Sequence, residues 1–226
     1  MGENFNMADF EEYMRDGQVD HPPALYEDYK STVLRSPSRK AVRLEHTLSE
    51  ITGPIYGHGP VLEGEDDLSI VEGEEAQGQR IFVSGQVLDE NGKAVPNTLI
   101  EIWQCNAAGR YRHEVDQHPA PLDPNFVGGG RVVTDDRGSY KFTTIKPGAY
   151  PWGNHHNAWR PAHIHFSLFG PAFVTRLITQ MYFPGDPLFP FDPIYNSIPN
   201  EKARERLISS FDLETTEPDF ALSFKF

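Results

Sequence analysis

From Arg80 onward, apolar residues recur at every second position, in short runs cut by glycine, proline, asparagine and aspartate. Side chains on a strand point alternately to its two faces, so this period commits the segment to half-buried β-strands and argues against a helical bundle. In "RIFVSGQVLDENGKAVPNTLIEIWQ" two such runs flank Asn91-Gly92, a pair that predicts a hairpin or tight turn. Leu99, Glu101 and Trp103 share one face of the second run, and Ile100 and Ile102 the other. "RVVTDDRGSYKFTTI" repeats the design with a turn at Asp135–Gly138 and with Tyr140 and Phe142 on one face. "AHIHFSLF" and "TRLITQMYF" follow, and "DFALSFKF" closes with Phe220, Leu222, Phe224 and Phe226 on one side. The expected fold is all-β: an antiparallel β-sandwich or barrel-like core with long ordered loops, an N-terminal arm and few short helices. With 19 Gly and 19 Pro, much of the chain must be ordered loop, where sites on a β scaffold tend to be built.

Two segments predict helix. "PNEKARERLISSF" has Asn200 as its cap and Leu207, Ile208 and Phe211 as its apolar stripe. "SPSRKAVRL" would begin at Ser36, with Pro37 in the first turn. The length, 226 residues, fits one domain with an appended arm. Residues 1–75 read as that arm, lying on a partner chain, with "GPIYGHGPVLEGEDDLSIVEGEEAQG" as surface loop; residues 76–226 read as the β-sandwich domain that carries the site.

A formal charge of −13 repels polyanions over most of the surface and argues against nucleic-acid binding. The single cysteine, Cys105, excludes an intrachain disulfide framework and reads as a small buried residue beside Trp103. "MGENFNMADFEEYMRDG" lacks the basic and apolar regions of a secretory signal, and no apolar run approaches membrane-spanning length. A cytoplasmic protein without membrane contact is expected.

"WRPAHIHFS" sets His163 and His165 on one face of a strand, where both can approach one metal ion. The pair alone leaves open whether they are ligands or simply hydrogen-bonded side chains. No Cys-x-x-Cys or His-Glu-x-x-His completes a site, and no acid lies near the pair in sequence. The unusual residues are two loop tyrosines, Tyr111 in "AAGRYRH" and Tyr150 in "KPGAYPW". Each taken alone is ordinary packing. Phenolate is a hard anionic donor, however, and two of them beside two imidazoles suit ferric iron. A zinc hydrolase or a β-sandwich binding module are the other classes compatible with parts of the pattern.

"NTLIEIWQCNAAGRYRH", "LDPNFVGGGR", "TIKPGAYPW", "WRPAHIHFS" and "LITQMYFPGDPL" resemble the intradiol ring-cleavage dioxygenases, and among them the β chains of protocatechuate 3,4-dioxygenases. The resemblance is densest from Ile81 to Ile198, and "DYKS" with "RSP" extends it into the arm. It implies one non-haem Fe(III) per chain, held by Tyr111, Tyr150, His163 and His165 with hydroxide as fifth ligand. It places Arg160 and Gln180 facing the substrate, with Tyr150 also serving as the ligand that the substrate displaces. Tyr29, Trp152 and Ile194 match pocket-lining positions. The implied reaction is O2-dependent cleavage of protocatechuate to 3-carboxy-cis,cis-muconate in the β-ketoadipate pathway of aromatic catabolism. The implied partner is a homologous α chain in a symmetric αβ hetero-oligomer. Relatives acting on catechol or hydroxyquinol share the iron set, so only the pocket separates the substrates. The acidic loop after Gly59 departs from the family pattern, and the sequence stops at Phe226 where related chains run on.

Overall fold

The computed structural model describes residues 22–39, 59–170 and 176–226. Two four-stranded sheets face each other. The first joins β3 (Arg80–Gln86), β6 (Ser139–Ile145), β11 (Ser210–Phe211) and β12 (Leu222–Lys225) in the order β11-β12-β3-β6. The second joins β4 (Leu99–Trp103), β5 (Gly129–Val133), β9 (His163–Phe169) and β10 (Arg176–Tyr182) in the order β10-β9-β4-β5. Both sheets stay open, so the sandwich expectation holds and the barrel-like one does not. Every pairing within them is antiparallel except β12 with β3, which is parallel. Among the described residues two two-stranded ribbons accompany the sheets: β1 (Ile70–Val71) with β2 (Glu74–Glu75), and β7 (Tyr150–Pro151) with β8 (Trp159–Arg160).

The core lies between the sheets. Ile81, Val83, Phe142, Ile145 and Phe224 from the first meet Ile100, Ile102, Val132, Ile164, Phe166 and Met181 from the second. Phe142 and Phe166 touch edge to face with centroids 5.9 Å apart. Each such side chain stabilises the fold by roughly 1.5–3 kcal/mol on burial.

The two turn signals both form tight turns, but neither pairs the long strands on its two sides. Gly92, at φ 77, turns the chain at Asp89–Lys93 and allows one bridge, Leu88 with Ala94. Beyond it, β3 and β4 go to different sheets. Likewise β5 and β6, on either side of Gly138, belong to opposite sheets. Tight-turn chemistry fixes the local bend; which sheet each strand joins depends on where its apolar face finds a partner.

Among the described residues there are three short α-helices: α1 (Lys30–Arg35), α2 (Pro193–Asn196) and α3 (Glu201–Glu205). Asn200 caps α3 by accepting hydrogen bonds from the Lys202 and Ala203 amides. That helix ends at Glu205, because the backbone that follows is claimed by β10: the Tyr182 amide donates to the Leu207 carbonyl and the Ser209 amide donates to the Tyr182 carbonyl. Phe211 is therefore a strand residue. Ser36 does not begin a helix; it terminates α1, its amide donating to the Thr32 carbonyl. Residues 40–44 of that expected helix lie outside the described residues.

The acidic segment read as part of the arm is docked on the sandwich from residue 59 onward. Leu68 is buried in the core, the Glu65 carboxylate pairs with Arg131, and Asp67 bridges to Thr143 of β6. Phe220 remains half exposed instead of joining the core face of β12. No helix among the described residues is long and apolar enough to cross a membrane.

Candidate active site

The site is built on the face of the second sheet that points away from the core. Along β9, Ile164 and Phe166 enter the core, so alternation turns His163 and His165 outward. Antiparallel register places Trp103 and Gln180 opposite His165 and Tyr182 opposite His163. The Trp103 ring stacks on His165 with centroids 4.7 Å apart and planes 1° from parallel, fixing that imidazole's orientation. His163 Nδ1 lies 2.7 Å from the Pro161 carbonyl. That contact favours a proton on Nδ1 and directs Nε2 outward, 3.2 Å from Nε2 of His165.

Tyr111 arrives on the loop after β4. Asn106 Oδ1 accepts from the Ala108 and Arg110 amides, and the Asp116 carboxylate accepts the Tyr111 amide at 2.7 Å. Tyr150 opens β7, opposite Arg160 of β8. The two tyrosine loops meet through glycines. The Gly148 amide donates to the Asn106 carbonyl at 3.0 Å. A Cβ on Gly148 would fall 2.5 Å from the Ala107 carbonyl oxygen, and one on Gly109 would overlap the Ala149 carbonyl. Glycine is required at both positions by this approach. The rings consequently pack edge to face, 5.2 Å between centroids.

Tyr150 Oη lies 3.5 Å from His163 Nε2. The Tyr111 hydroxyl is buried with no hydrogen bond of good geometry, and its polar neighbour is the Tyr150 hydroxyl. Burial, then the neighbouring Tyr150 hydroxyl, pushes the Tyr111 phenol well above its ordinary range. Burial raises Tyr150 too, against the opposing pull of Arg160. His163 is driven well below the usual imidazole value by burial, then by Arg160 and His165; His165 falls to about 4 by burial and then Arg160. The set therefore comprises two neutral imidazoles whose Nε2 atoms converge and two neutral phenols, one of them orphaned.

Arg160 is buried beside them. Its Nη1 reaches His163 Nε2 at 3.1 Å and Tyr150 Oη at 3.4 Å, while Nη2 donates to Gln180 Oε1 at 2.7 Å, Tyr182 Oη at 2.9 Å and Asp192 Oδ2 at 3.0 Å. Burial alone would favour losing its proton, but Tyr182 and Asp192 hold its pKa above the ordinary value. The guanidinium also lies 5.8 Å from the Trp152 ring, which touches Tyr29 at 5.4 Å. Asn154 ties that arm residue in place, accepting the Lys30 amide and donating to the Asp28 carbonyl. Ile194 and Gln180 line one cavity of about 340 Å³ with Tyr182.

Tyr111, Tyr150, His163, His165, Arg160 and Gln180 are thus brought into one cluster, with Trp152 and Tyr29 on one side and Ile194 on another. Cys105 is buried as expected, its thiol donating to the Gly148 carbonyl and raised to about 12 by burial. His155 and His156 are exposed on their loop. Two participants went unnoticed in the sequence, Tyr182 and Asp192. Parity could have found Tyr182, which lies two residues from Gln180 on the same strand face. Asp192-Pro193 carries the signature of a helix cap followed by proline at the first position, but nothing local shows that its carboxylate also meets an arginine.

No cluster of three His, Cys, Asp or Glu side chains is assembled among the described residues, so any metal here would depend on the tyrosines. The donor set fits a hard trivalent cation. The orphaned Tyr111 hydroxyl has an unused oxygen, and both phenols can turn anionic in exchange for the cation's charge.

Residues 51–226 match the family described as Dioxygenase, and residues 13–47 match that described as Protocatechuate 3,4-dioxygenase beta subunit N terminal. The protocatechuate 3,4-dioxygenase beta chain of Burkholderia cepacia is 57% identical over 208 residues, covering 91% of this chain and 88% of that one. A catechol 1,2-dioxygenase of Candida albicans is 33% identical over 178 residues; the match covers 73% of this chain and 56% of the yeast protein. Among solved structures, the 3-chlorocatechol 1,2-dioxygenase of Rhodococcus opacus superposes with a TM-score of 0.57 at 24% identity, covering 78% of this chain and 68% of that one, which supports the shared fold. On the sequence motifs, the sandwich and these relatives together, the chain belongs to the intradiol ring-cleavage dioxygenases.

Proposed function

We propose that this chain is the iron-bearing half of an enzyme that cleaves protocatechuate between its two hydroxylated carbons. The product is 3-carboxy-cis,cis-muconate, formed within the β-ketoadipate route of aromatic catabolism. Both atoms of O2 enter the product, one at each new carboxylate, so no external reductant is needed. The observation that carries the reading is the buried, unpartnered Tyr111 hydroxyl beside two imidazoles whose Nε2 atoms lie 3.2 Å apart. Tyr111, Tyr150, His163 and His165 would hold one Fe(III). When bound, such an ion would act as a Lewis acid toward a catechol and make its ring reactive toward O2.

The rest belongs to the chain's own residues. Tyr150, deprotonated where it holds the metal, would take up one catechol proton at Oη, and the hydroxide that the resemblance implies as fifth ligand would take the other, so no separate carboxylate base is needed. Arg160 faces the same point and stabilises negative charge on the ring. Gln180 Oε1 orients Arg160, and Trp152, Tyr29 and Ile194 close the pocket around an aromatic ring. The substrate's carboxylate still needs a cationic or amide-rich partner. A homologous α chain in a symmetric αβ assembly would supply it, covering exposed apolar residues such as Val33 and Leu34 of α1 and Leu177 and Ile178 of the edge strand β10.

Oxygen uptake on protocatechuate against catechol, with iron analysis and an absorbance spectrum, tests the reading. A red protein that prefers protocatechuate is expected, because phenolate-to-Fe(III) charge transfer absorbs visible light. A colourless zinc protein, or faster turnover of catechol, would reject the iron site or the substrate respectively. A lone chain that sediments as a monomer with full activity would reject the two-chain assembly.

A further inference from the structure

We propose that Asp192 is a positioning residue for ring cleavage, setting the direction in which Arg160 presents its charge and tying that direction to the pocket wall at Ile194. The inference rests on the ring-cleavage reading above.

Asp192 is fully buried and uses both carboxylate oxygens. Oδ1 accepts the Ile194 amide at 3.0 Å, capping α2. Oδ2 accepts Arg160 Nη2 at 3.0 Å and lies 3.3 Å from Tyr182 Oη. One carboxylate therefore connects the cation behind the substrate position to a residue lining the adjacent cavity.

The guanidinium shows why direction matters. Nη2 is held from behind by Gln180, Tyr182 and Asp192, of which only Asp192 carries charge. Nη1 has a separate set of partners, Tyr150 Oη and His163 Nε2, and Nε is buried without a partner. The fork is rigid and planar, so fixing Nη2 fixes where Nη1 and Nε point. A group that must meet charge developing on a ring loses much of its effect when misplaced by about 1 Å.

Asparagine at 192 cannot reproduce both contacts. If its oxygen caps Ile194, its amide meets Arg160 donor to donor; if it turns over, the clash moves to the Ile194 amide. Glutamate keeps the charge but is one methylene longer and a poor helix cap.

The test uses the iron-loaded protein in its assembly with the homologous chain, comparing parent, Asp192→Asn, Asp192→Glu, Arg160→Ala and Arg160→Ala/Asp192→Asn. Oxygen uptake gives kcat and KM, and the charge-transfer band and iron content report the metal site. Asp192→Asn is expected to keep iron and colour and to lose roughly 10- to 100-fold in kcat, the usual range for an outer partner of a metal site. Asp192→Glu should recover only part of that loss. On the Arg160→Ala background the same Asp192→Asn change should alter kcat/KM by less than about twofold, because residues acting as one unit are not additive.

Parental kcat per iron in Asp192→Asn, with only a lower melting temperature, means a structural role and overturns the proposal. A further tenfold loss on the Arg160→Ala background overturns it as well. Removing one member of a buried ion pair can prevent folding. If Asp192→Asn does not fold, Asp192→Glu, which keeps the charge, decides: parental kcat per iron in that variant overturns the proposal. A parent that consumes no O2 with any catechol overturns the ring-cleavage reading, and this proposal with it; an active parent with an unaffected Asp192→Asn overturns only the proposal.

Discussion

Replacing Tyr111 by phenylalanine separates the cost of the site from its use. The Tyr111 hydroxyl is buried and makes no hydrogen bond, whereas the hydroxyl of Tyr140 donates to the Phe226 carbonyl at 2.8 Å. A buried polar group without a partner carries a desolvation penalty of roughly 1–3 kcal/mol, and a made hydrogen bond contributes about 1 kcal/mol. Tyr111→Phe keeps the ring and its edge contact with Tyr150. It should therefore stabilise the metal-free protein by about 1 kcal/mol and raise its melting temperature by roughly 2–4 °C for a domain of this size. Tyr140→Phe, the same chemical change, should lower it by a similar amount. Adding ferric iron reverses the first ranking: the parent gains stability from metal binding, and Tyr111→Phe gains less because one donor is gone. Thermal melts after chelation and after iron loading measure all four states. If metal-free Tyr111→Phe melts at or below the parent, the hydroxyl is satisfied in solution and its role as a waiting ligand fails.

Gly148→Ala should part the two tyrosine loops, since its Cβ would lie 2.5 Å from the Ala107 carbonyl oxygen and 2.7 Å from the Gly109 amide nitrogen. A shifted or weakened charge-transfer band in a folded protein is the expected sign, and an unchanged band would count against loop spacing as the determinant. Arg160→Lys should retain iron yet lose about 10²–10³ in rate, because an ammonium cannot span Nη1 and Nη2; near-parental turnover would mean that bulk charge suffices. In the metal-free protein His165 titrates at about 4 against 6.5 in the reference state, so between those values the unfolded chain binds more protons. Stability should be full above about pH 6.5 and fall as pH drops toward 4, by up to roughly 1.4 kcal/mol per unit for each such histidine. A flat urea midpoint across that window in metal-free protein would show that the histidines are not held neutral.

The outward pair on β9 was legible because alternation is local: once Ile164 and Phe166 face the core, His163 and His165 have nowhere else to point. The strands around Asn91-Gly92 and Asp135–Gly138 were legible as strands for the same reason, but their assignment to two sheets was not. That depends on contacts such as Phe142 with Phe166, which no turn sequence encodes. The tyrosine loops could be marked as unusual, yet their convergence depends on Gly109 and Gly148 meeting across the fold. Asp192 was invisible as a site residue because its partner lies 32 positions away in sequence. The end of α3 is not legible in the sequence, because helical periodicity continues through Leu207 while Tyr182 takes its carbonyl.

The parallel pairing of β12 with β3 governs the order of assembly. During synthesis β3 emerges early and finds β6, but its other edge stays open until the far end of the sequence has been made. An unpaired edge flanked by Ile81 and Val83 invites pairing with another chain. Contacts so distant in sequence also slow closure, since a long loop must be ordered before they form. The exposure window of β3 therefore depends on how soon Leu222–Lys225 arrives. Yield in a host cell should respond to chaperone supply and growth temperature.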